Sequence, residues 1–577
     1  MISAMKEYRL WVENVTFPDL KKELLAIEAH PESIIERFGK ALEFGTGGMR
    51  GLIGVGQNRM NIYTIRKATS GLACFLNKNY SGDKRVAIAY DSRRMSREFA
   101  LETSLVLAGH GIQAFLFNKI IPTPILSFAV RELGCCSGVV ITASHNPKDY
   151  NGYKVYDHNG GQVTEEIADK ITAEIENIES FFAISPPAVE VAHSKGMLHY
   201  LNDDLMYSYL DKTISLLQNR ALVDACASSL RIVYSPLHGA GLVPICELFK
   251  KAGFSSVNLV EKQITADPDF PTVVCPNPEE IAACELAIVD AQKYSADIVL
   301  ITDPDADRIG LVVPDDRGNY VQLNGNQTGA LLIDYLLQML KTKNALPENG
   351  VIVKTIVTSD MGAFIAKSYD VGCVEVLTGF KYIGAKIAEF EQNKTHDFLF
   401  GYEESYGYLF GTHVRDKDAI QTALLLCEMA LFHQARKQSV YQRLQELYKY
   451  YGFFMENLIN VSLPGTEGSK IITLIMNGLR NKPFDRIEDL PVLSYKDYLS
   501  RREYDLQAGV SKTIDLPFSD VLYYQLAKDS WFCIRPSGTE PKLKIYIGTR
   551  DDQSAIAGAR LARLTRALEN MINSYIS

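Results

Sequence analysis

Short apolar runs alternate repeatedly with helical patterns along this chain, and that rhythm restricts its fold more than any other feature. Residues 86–90 read as a strand, 96–108 as a helix with Ser96 at its N-cap, 113–117 as a strand, 125–133 as a helix and 138–142 as a strand. The pattern restarts with strands at 232–234, 257–260 and 298–302, interleaved with helices at 243–251 and 281–294. A third cycle runs through strands at 351–357, 374–377 and 398–400, with helices at 363–368 and 383–390. Such alternation is the signature of βαβ units and mainly parallel sheets. Beyond Gly452 the texture becomes strand-rich around a helix near 471–479, and a long helix runs from Ser554 to about Ser574.

The predicted architecture is three successive α/β domains with mixed, mainly parallel sheets, then a smaller α+β domain, all around one central cleft. The expected bounds are 1–210, 211–325, 326–450 and 451–577. A length of 577 residues suits that number, at about 100–200 residues per domain. In open α/β sheets, ligands bind beyond the carboxyl ends of the strands. Polar clusters that follow strands are therefore the places to look for chemistry.

Composition narrows the function. Sixty Lys and Arg against 69 Asp and Glu give a net charge of −9, with no basic block. That argues against generic binding to nucleic acid or to an anionic membrane. Ten scattered cysteines without a CxxC pair read as reduced thiols of a cytoplasmic protein. Residues 1–17 lack the apolar centre of a signal peptide. The longest apolar helical stretch, 419–432, is shorter than the ~20 residues that span a bilayer. The expectation is a soluble protein, a monomer or weak homo-oligomer.

Four clusters stand out. Thr142-Ala143-Ser144-His145-Asn146-Pro147 puts a hydroxyl beside an imidazole at a strand end, with Lys154 shortly after. It is not a hydrolase elbow, because the flanking glycines of G-x-S-x-G are absent. What remains is a serine able to carry a covalent group. Asp303-Pro304-Asp305-Ala306-Asp307-Arg308 alternates carboxylates that can turn toward one hard cation. An EF-hand is excluded, since Arg308 and Pro314 occupy the positions of its glycine and glutamate. Three carboxylates leave room for a phosphate oxygen, which suits Mg²⁺. Gly401-Tyr402-Glu403-Glu404-Ser405, preceded by Thr378-Gly379-Phe380-Lys381, offers groups for sugar hydroxyls. Arg535-Pro536-Ser537-Gly538-Thr539-Glu540-Pro541 resembles an anion nest, and Lys542 and Lys544 share one face of a strand.

A lesser cluster, Gly45-Thr46-Gly47-Gly48-Met49-Arg50-Gly51, fails the dinucleotide fingerprint because Arg50 stands at its third glycine. Its loop can still present an arginine to a phosphoryl group.

Taken in order, these segments resemble the α-D-phosphohexomutase superfamily, the phosphoglucomutases and phosphomannomutases, nearly end to end. TGFKYIG and GYEESYGY look like the branch with bacterial phosphoglucomutases and phosphopentomutase-like enzymes. The resemblance implies a phosphosugar mutase that interconverts glucose 1- and 6-phosphates through a phosphoserine and a sugar bisphosphate. Mannose and pentose phosphates are the alternatives within the class; a phosphosugar phosphatase and a non-catalytic phosphosugar-binding protein lie outside it.

It further implies that Ser144 carries the phosphoryl group and that Asp303, Asp305 and Asp307 hold one Mg²⁺ with a Ser144 phosphate oxygen. Arg50 and Lys154 flank the moving group, with His145 beside it and Arg308 braced against the metal loop. Glu403 and Ser405 bind sugar hydroxyls, and Lys381 lies in the loop that distinguishes sugar orientations. Arg535, Ser537, Gly538, Thr539 and Lys544 clamp the phosphate that is not reacting. Gly47 and the Phe380-Lys381 pair depart from common family patterns, and the general base stays open between Lys154 and His145.

Overall fold

The structure, a computed structural model, describes residues 2–463, 465–537 and 542–576. These form two compact units, Met1–Thr328 with Phe380–Lys437, and Gly329–Gly379 with Gln438–Ser577.

The first unit opens with three helices, Ile2–Asn14, Pro18–Ala26 and Pro31–Phe38, which the alternation pattern did not announce. Their core is aromatic: the Trp11 ring lies 5.5–5.7 Å from those of Phe38, Tyr63, Phe181 and Phe182. Trp11, Phe38 and Tyr63 are fully buried, each contributing about 1.5–3 kcal/mol from area alone, and Phe181 and Phe182 cover them as partly buried rings.

Six strands then build a mixed sheet: β1 (Gly48–Leu52), β2 (Arg85–Tyr90), β3 (Gln113–Phe117), β4 (Ser137–Ile141), β5 (Tyr150–Tyr156) and β6 (Leu198–Leu201). Their order is β1-β5-β4-β2-β3-β6. The pairs β4/β2, β2/β3 and β3/β6 are parallel, as βαβ crossovers require. β4 and β5 are antiparallel, because a short loop that joins consecutive strands can only make a hairpin. The 142–149 cluster is that hairpin loop. Helix Ser96–Gly109 packs on this sheet, with its start set differently from expectation. Met95, left-handed at φ 64°, occupies the cap, while the Ser96 hydroxyl donates to Asp91 Oδ1.

A second mixed sheet has β7 (Ile232–Ser235), β8 (Val257–Leu259), β9 (Ile298–Thr302), β10 (Ile309–Pro314) and β11 (Tyr320–Leu323), ordered β11-β10-β9-β7-β8. β9, β7 and β8 run parallel, whereas β9 and β10 form a hairpin closed by the aspartate cluster. Its core includes Val233, Val299, Ile301 and Ala287.

In the second unit β12 (Gly350–Thr355) pairs parallel with β13 (Gly372–Val376). Within the first unit, β14 (Asp397–Glu403) and β15 (Gly407–Leu409) make a hairpin. The C-terminal part of the second unit is an antiparallel sheet. Its strands are β16 (Phe453–Ser462), β17 (Arg486–Ile487), β18 (Leu490–Asp497), β19 (Arg502–Asp505), β20 (Val510–Thr513), β21 (Leu522–Leu526), β22 (Ser530–Pro536) and β23 (Lys542–Asp551). Helices Gly465–Asn481 and Ser554–Ile576 cover its apolar face, burying Ile475, Phe532, Ile547 and Leu568.

Among the described residues no helix is long and apolar enough to cross a membrane.

Candidate active site

Ser144 sits in the β4–β5 hairpin loop with φ at 51°, a left-handed backbone that costs a serine about 1 kcal/mol or more. Neighbouring bonds hold it there. Its backbone N–H donates to Thr142 Oγ1 at 2.8 Å, and the Thr142 hydroxyl donates to Asp91 Oδ2 at 2.6 Å. The guanidinium of Arg93, buried at 3% exposure, donates to the carbonyls of Ser144, Asn146, Pro147 and Tyr150. One side chain thus satisfies three loop carbonyls and the first carbonyl of β5. Asp91 accepts from the Arg93 backbone N–H at 2.9 Å, and its carboxylate lies 3.4 Å from Arg93 Nε, offsetting the buried charge.

The β9–β10 hairpin loop supplies the carboxylates. Asp303, Asp305 and Asp307 are all buried, and one oxygen of each lies within 4.8 Å of the others. Ala306, at φ 46°, turns the backbone between the last two. The Ser144 hydroxyl donates to Asp303 Oδ2 at 2.6 Å, while Asp303 Oδ1 accepts from the backbone N–H groups of Asp307 and Arg308. Lys154 Nζ reaches Asp305 Oδ2 at 2.9 Å and Asp307 Oδ2 at 3.3 Å, and Lys417 Nζ reaches the same Asp307 oxygen at 3.2 Å. Among the described residues, Asp305 Oδ1 and Asp307 Oδ1 are buried with no hydrogen-bond partner. Orphaned carboxylate oxygens on a loop of three aspartates are the donor set a hard divalent cation requires. The residues fit such an ion.

Electrostatics agree with that fit. Burial and the charges of Asp305 and Asp307 push the Asp303 carboxyl well above its ordinary range. Burial works the same way on Asp307, but Lys417, Lys154 and Arg308 outweigh it and hold that carboxyl low. Lys154 and Lys417 are kept as ammonium ions by these carboxylates despite their burial. Arg308 is anchored from behind by an ion pair with Glu279.

Arg50 lies on β1 opposite Gly152 and donates to Asn146 Oδ1 at 3.0 Å. That edge strand, not anticipated from the sequence, is formed by the second half of the glycine-rich cluster itself. It depends on Gly48 (φ 150°), where a Cβ would lie 2.0 Å from the Tyr153 carbonyl oxygen. His145 Nδ1 is 3.2 Å from Ser144 Oγ, and enclosure, with Arg308 and Arg50 nearby, keeps the ring neutral well below its usual pKa. Glu403 closes β14 and is buried, and Ser405 is half-buried in the following turn. The first unit therefore gathers Arg50, Ser144, His145, Lys154, Asp303, Asp305, Asp307 and Arg308 around one pair of hairpin loops.

The phosphate-clamp candidates belong to the second unit. Arg535 on β22 pairs with Lys544 on β23, and the Ser537 N–H donates to the Lys542 carbonyl at 2.7 Å. Lys542 and Lys544 share one face, alternating with buried Leu543 and Ile545. Gly538 and Thr539 lie outside the described residues.

Profiles of the phosphoglucomutase/phosphomannomutase family match the chain in order. Alpha/beta/alpha domain I covers residues 41–181, domain II 208–318 and domain III 324–451, and the C-terminal domain covers 515–562. The chain belongs to this family. It is an isomerase of the phosphomutase type. Similar relatives include the phosphoglucomutase of Staphylococcus haemolyticus (strain JCSC1435), 36% identical over 515 residues, which are 89% of this chain and 91% of the relative. The phosphoglucomutase of Staphylococcus aureus (strain USA300) is 35% identical over 547 residues, 95% of this chain and 96% of the relative. The fold is shared with the open form of parafusin (phosphoglucomutase) from Paramecium, at TM-score 0.68 and 17% identity, covering 93% of this chain and 95% of that one. A phosphoglucomutase/phosphomannomutase family protein from Burkholderia thailandensis has TM-score 0.64 and 19% identity, covering 91% and 97%.

Sequence reasoning missed several residues that build this candidate site. Asp91 and Arg93 follow β2 directly, and a charged pair at the carboxyl end of a parallel strand was the signal available. Lys417 lies in Arg415-Asp416-Lys417-Asp418, a charge cluster ahead of an apolar helix. Asp416 accepts from Tyr156 on β5, which fixes this segment against the first sheet.

Proposed function

We propose that the chain interconverts glucose 1-phosphate and glucose 6-phosphate through a phosphorylated Ser144. The observation that carries this reading is the 2.6 Å bond from the Ser144 hydroxyl to Asp303, a member of the buried aspartate group. The choice of glucose rests on the phosphoglucomutase relatives at 35–36% identity.

Mg²⁺ held by Asp303, Asp305 and Asp307 would neutralise charge on phosphoryl oxygens. The chain's own groups do the rest. Ser144 gives its phosphoryl group to a sugar hydroxyl: the sugar O–P bond forms, the Ser144 O–P bond breaks, and the hydroxyl proton leaves. The resulting bisphosphate returns its other phosphoryl group to Ser144. Arg50 and Lys154 draw the moving negative charge, which is most of what this reaction asks of a protein. Of the two candidates for taking the hydroxyl proton, Lys154 is already an ammonium ion, so the step is assigned to neutral His145, and the pH–rate profile of His145→Gln tests that assignment. Glu403 and Ser405 enter this reading as partners of sugar hydroxyls. Arg535, Ser537, Gly538, Thr539 and Lys544 enter it as ligands of the phosphate that is not reacting.

³¹P NMR tests the proposal on phosphorylated, Mg²⁺-loaded protein with a trace of glucose bisphosphate, in separate tubes of glucose, mannose and ribose 1-phosphates. Conversion of glucose 1-phosphate without inorganic phosphate is expected. Conversion in another tube only would reassign the sugar, and steady phosphate release would make the protein a phosphatase.

A further inference from the structure

Helix Phe380–Asn393 starts at a junction of three segments that are distant in sequence. Lys381, 9% exposed, donates from Nζ to Glu165 Oε1 at 2.6 Å and to the Thr46 carbonyl at 2.8 Å. The Tyr382 hydroxyl donates to the same Glu165 oxygen. Phe380 lies under Lys417, whose Nζ is 5.6 Å from the ring centroid and bonds Asp307. Thr46 stands four residues before Arg50 in the glycine-rich turn.

The geometry leaves this helix little freedom. A Cβ at Gly384 would lie 2.3 Å from the Arg415 carbonyl oxygen, so the helix rests directly on the backbone of the segment that carries Lys417. Glu165 opens helix Glu165–Glu176, where the positive end of the helix dipole favours a carboxylate. Against burial, Lys381 and Tyr382 hold this carboxyl below its usual range. A nearly buried ammonium that loses one charged partner relocates or draws in water, because the uncompensated charge is costly. When Lys381 leaves this position, its bond to the Thr46 carbonyl breaks, and the link between the glycine-rich turn and the first turn of the helix is lost.

We propose that Glu165 is a positioning residue that couples the sugar-reading segment to the segment carrying Arg50. It holds Lys381 and Tyr382 in place, and through Lys381 it holds the glycine-rich turn. One ion pair then sets both which sugar is oriented and how well Arg50 meets the phosphoryl group. The inference rests on the mutase reading above. An ordinary brace between segments would stabilise the fold without touching selectivity, which makes the two distinguishable.

The test uses full-length Glu165→Gln, with Tyr382→Phe as a companion that keeps the Glu165–Lys381 pair. Steady-state rates are measured with glucose 1-phosphate and mannose 1-phosphate, and hydrogen exchange is followed in peptides covering residues 44–52. The expected result for Glu165→Gln is a fall of about tenfold or more in kcat/KM for the preferred sugar, a similar loss of preference between the two sugars, and several-fold faster exchange in 44–52. Tyr382→Phe should lose much less of each. Unchanged exchange with an unchanged sugar ratio in the folded variant overturns the proposal, as does an equal loss with both sugars accompanied by a lower Tm. If Glu165→Gln does not fold, Glu165→Asp, which keeps the charge and shortens its reach, is judged by the same two readouts. Should the wild type convert neither sugar, the mutase reading fails, and the exchange data still decide whether Glu165 holds the turn.

Discussion

The Ser144 hydroxyl and the Asp303 carboxylate, 159 residues apart in sequence, are joined by a 2.6 Å hydrogen bond. Each lies in the loop of an antiparallel hairpin at the end of a run of parallel strands in a mixed sheet. Ser144→Ala should abolish turnover, by more than about a thousandfold, because no other group can take its place as carrier. The circular dichroism spectrum should stay native, since the hydroxyl packs against no apolar core. ³¹P NMR with glucose 1-phosphate reads the result, and more than trace activity would rule out the phosphoserine.

The orphaned oxygens of Asp305 and Asp307 lead to a metal prediction. Chelation should stop turnover, and Mg²⁺ should restore it. Asp305→Asn should weaken Mg²⁺ binding about tenfold or more by calorimetry, because a carboxylate is lost from a site of three. Equal Mg²⁺ affinity in the variant would remove Asp305 from the ligand set.

Arg93 is the hub of the Ser144 loop. Arg93→Lys keeps the charge but cannot reach the four carbonyls that the guanidinium serves. A loss of about 3 kcal/mol in stability is expected from denaturant titration, as for other broken buried ion networks. The kcat should fall about a hundredfold as Ser144 loses its alignment. A variant with wild-type kcat would show that the loop holds its shape without Arg93.

Gly239 supports the aspartate loop from behind. A Cβ there would lie 2.4 Å from Pro304 Cα, so Gly239→Ala must displace the backbone between Asp303 and Asp305. The Mg²⁺ affinity should fall while the Tm changes by only a few degrees, within the ordinary range for one overpacked contact. Unaltered Mg²⁺ binding would show that the loop moves aside freely.

Asp418 and His413 flank Tyr209 and titrate in opposite senses. Burial, against hydrogen bonds from Tyr209 and Gln421, raises Asp418 to about 6, while burial and nearby cations lower His413 to about 4. Between about pH 4 and 6 the folded state holds the extra proton at Asp418, so that group's contribution to stability is lost as pH rises through the window. At His413 the unfolded chain holds the extra proton between about pH 4 and 6.5, so its contribution is lost as pH falls. Relative to wild type, Asp418→Asn should therefore gain stability as pH rises, and His413→Gln should gain as pH falls. Each slope is up to about 1.4 kcal/mol per pH unit. Denaturant midpoints from pH 4 to 7 check both signs; parallel curves would contradict them.

Much of the fold was legible because it is recorded locally. Strand 298–302 and helix 281–294 coincide with their expected bounds, since apolar periodicity reports which face of an element is buried. The N-terminal helices were not anticipated: their core residues Trp11 and Phe38 find cover from Tyr63, Phe181 and Phe182, far along the chain. Ser96 satisfied the N-cap pattern, yet Asp91 captured its hydroxyl and moved the helix start by one residue.

The chemistry divides along the same line. By itself the sequence determined the reactive groups, namely a serine after a strand, alternating carboxylates on a six-residue loop, and two lysines on one strand face. These follow from residue type and spacing, which are properties of a few neighbouring positions. Only the tertiary structure decided that Arg93 grips the Ser144 loop, that Lys417 joins Lys154 on Asp307, and that Lys381 turns to Glu165, 216 residues away. Those partnerships depend on which strands become neighbours and on which charges are buried together. A buried charge takes whatever countercharge the assembled sheets bring within reach, and no local pattern encodes that choice.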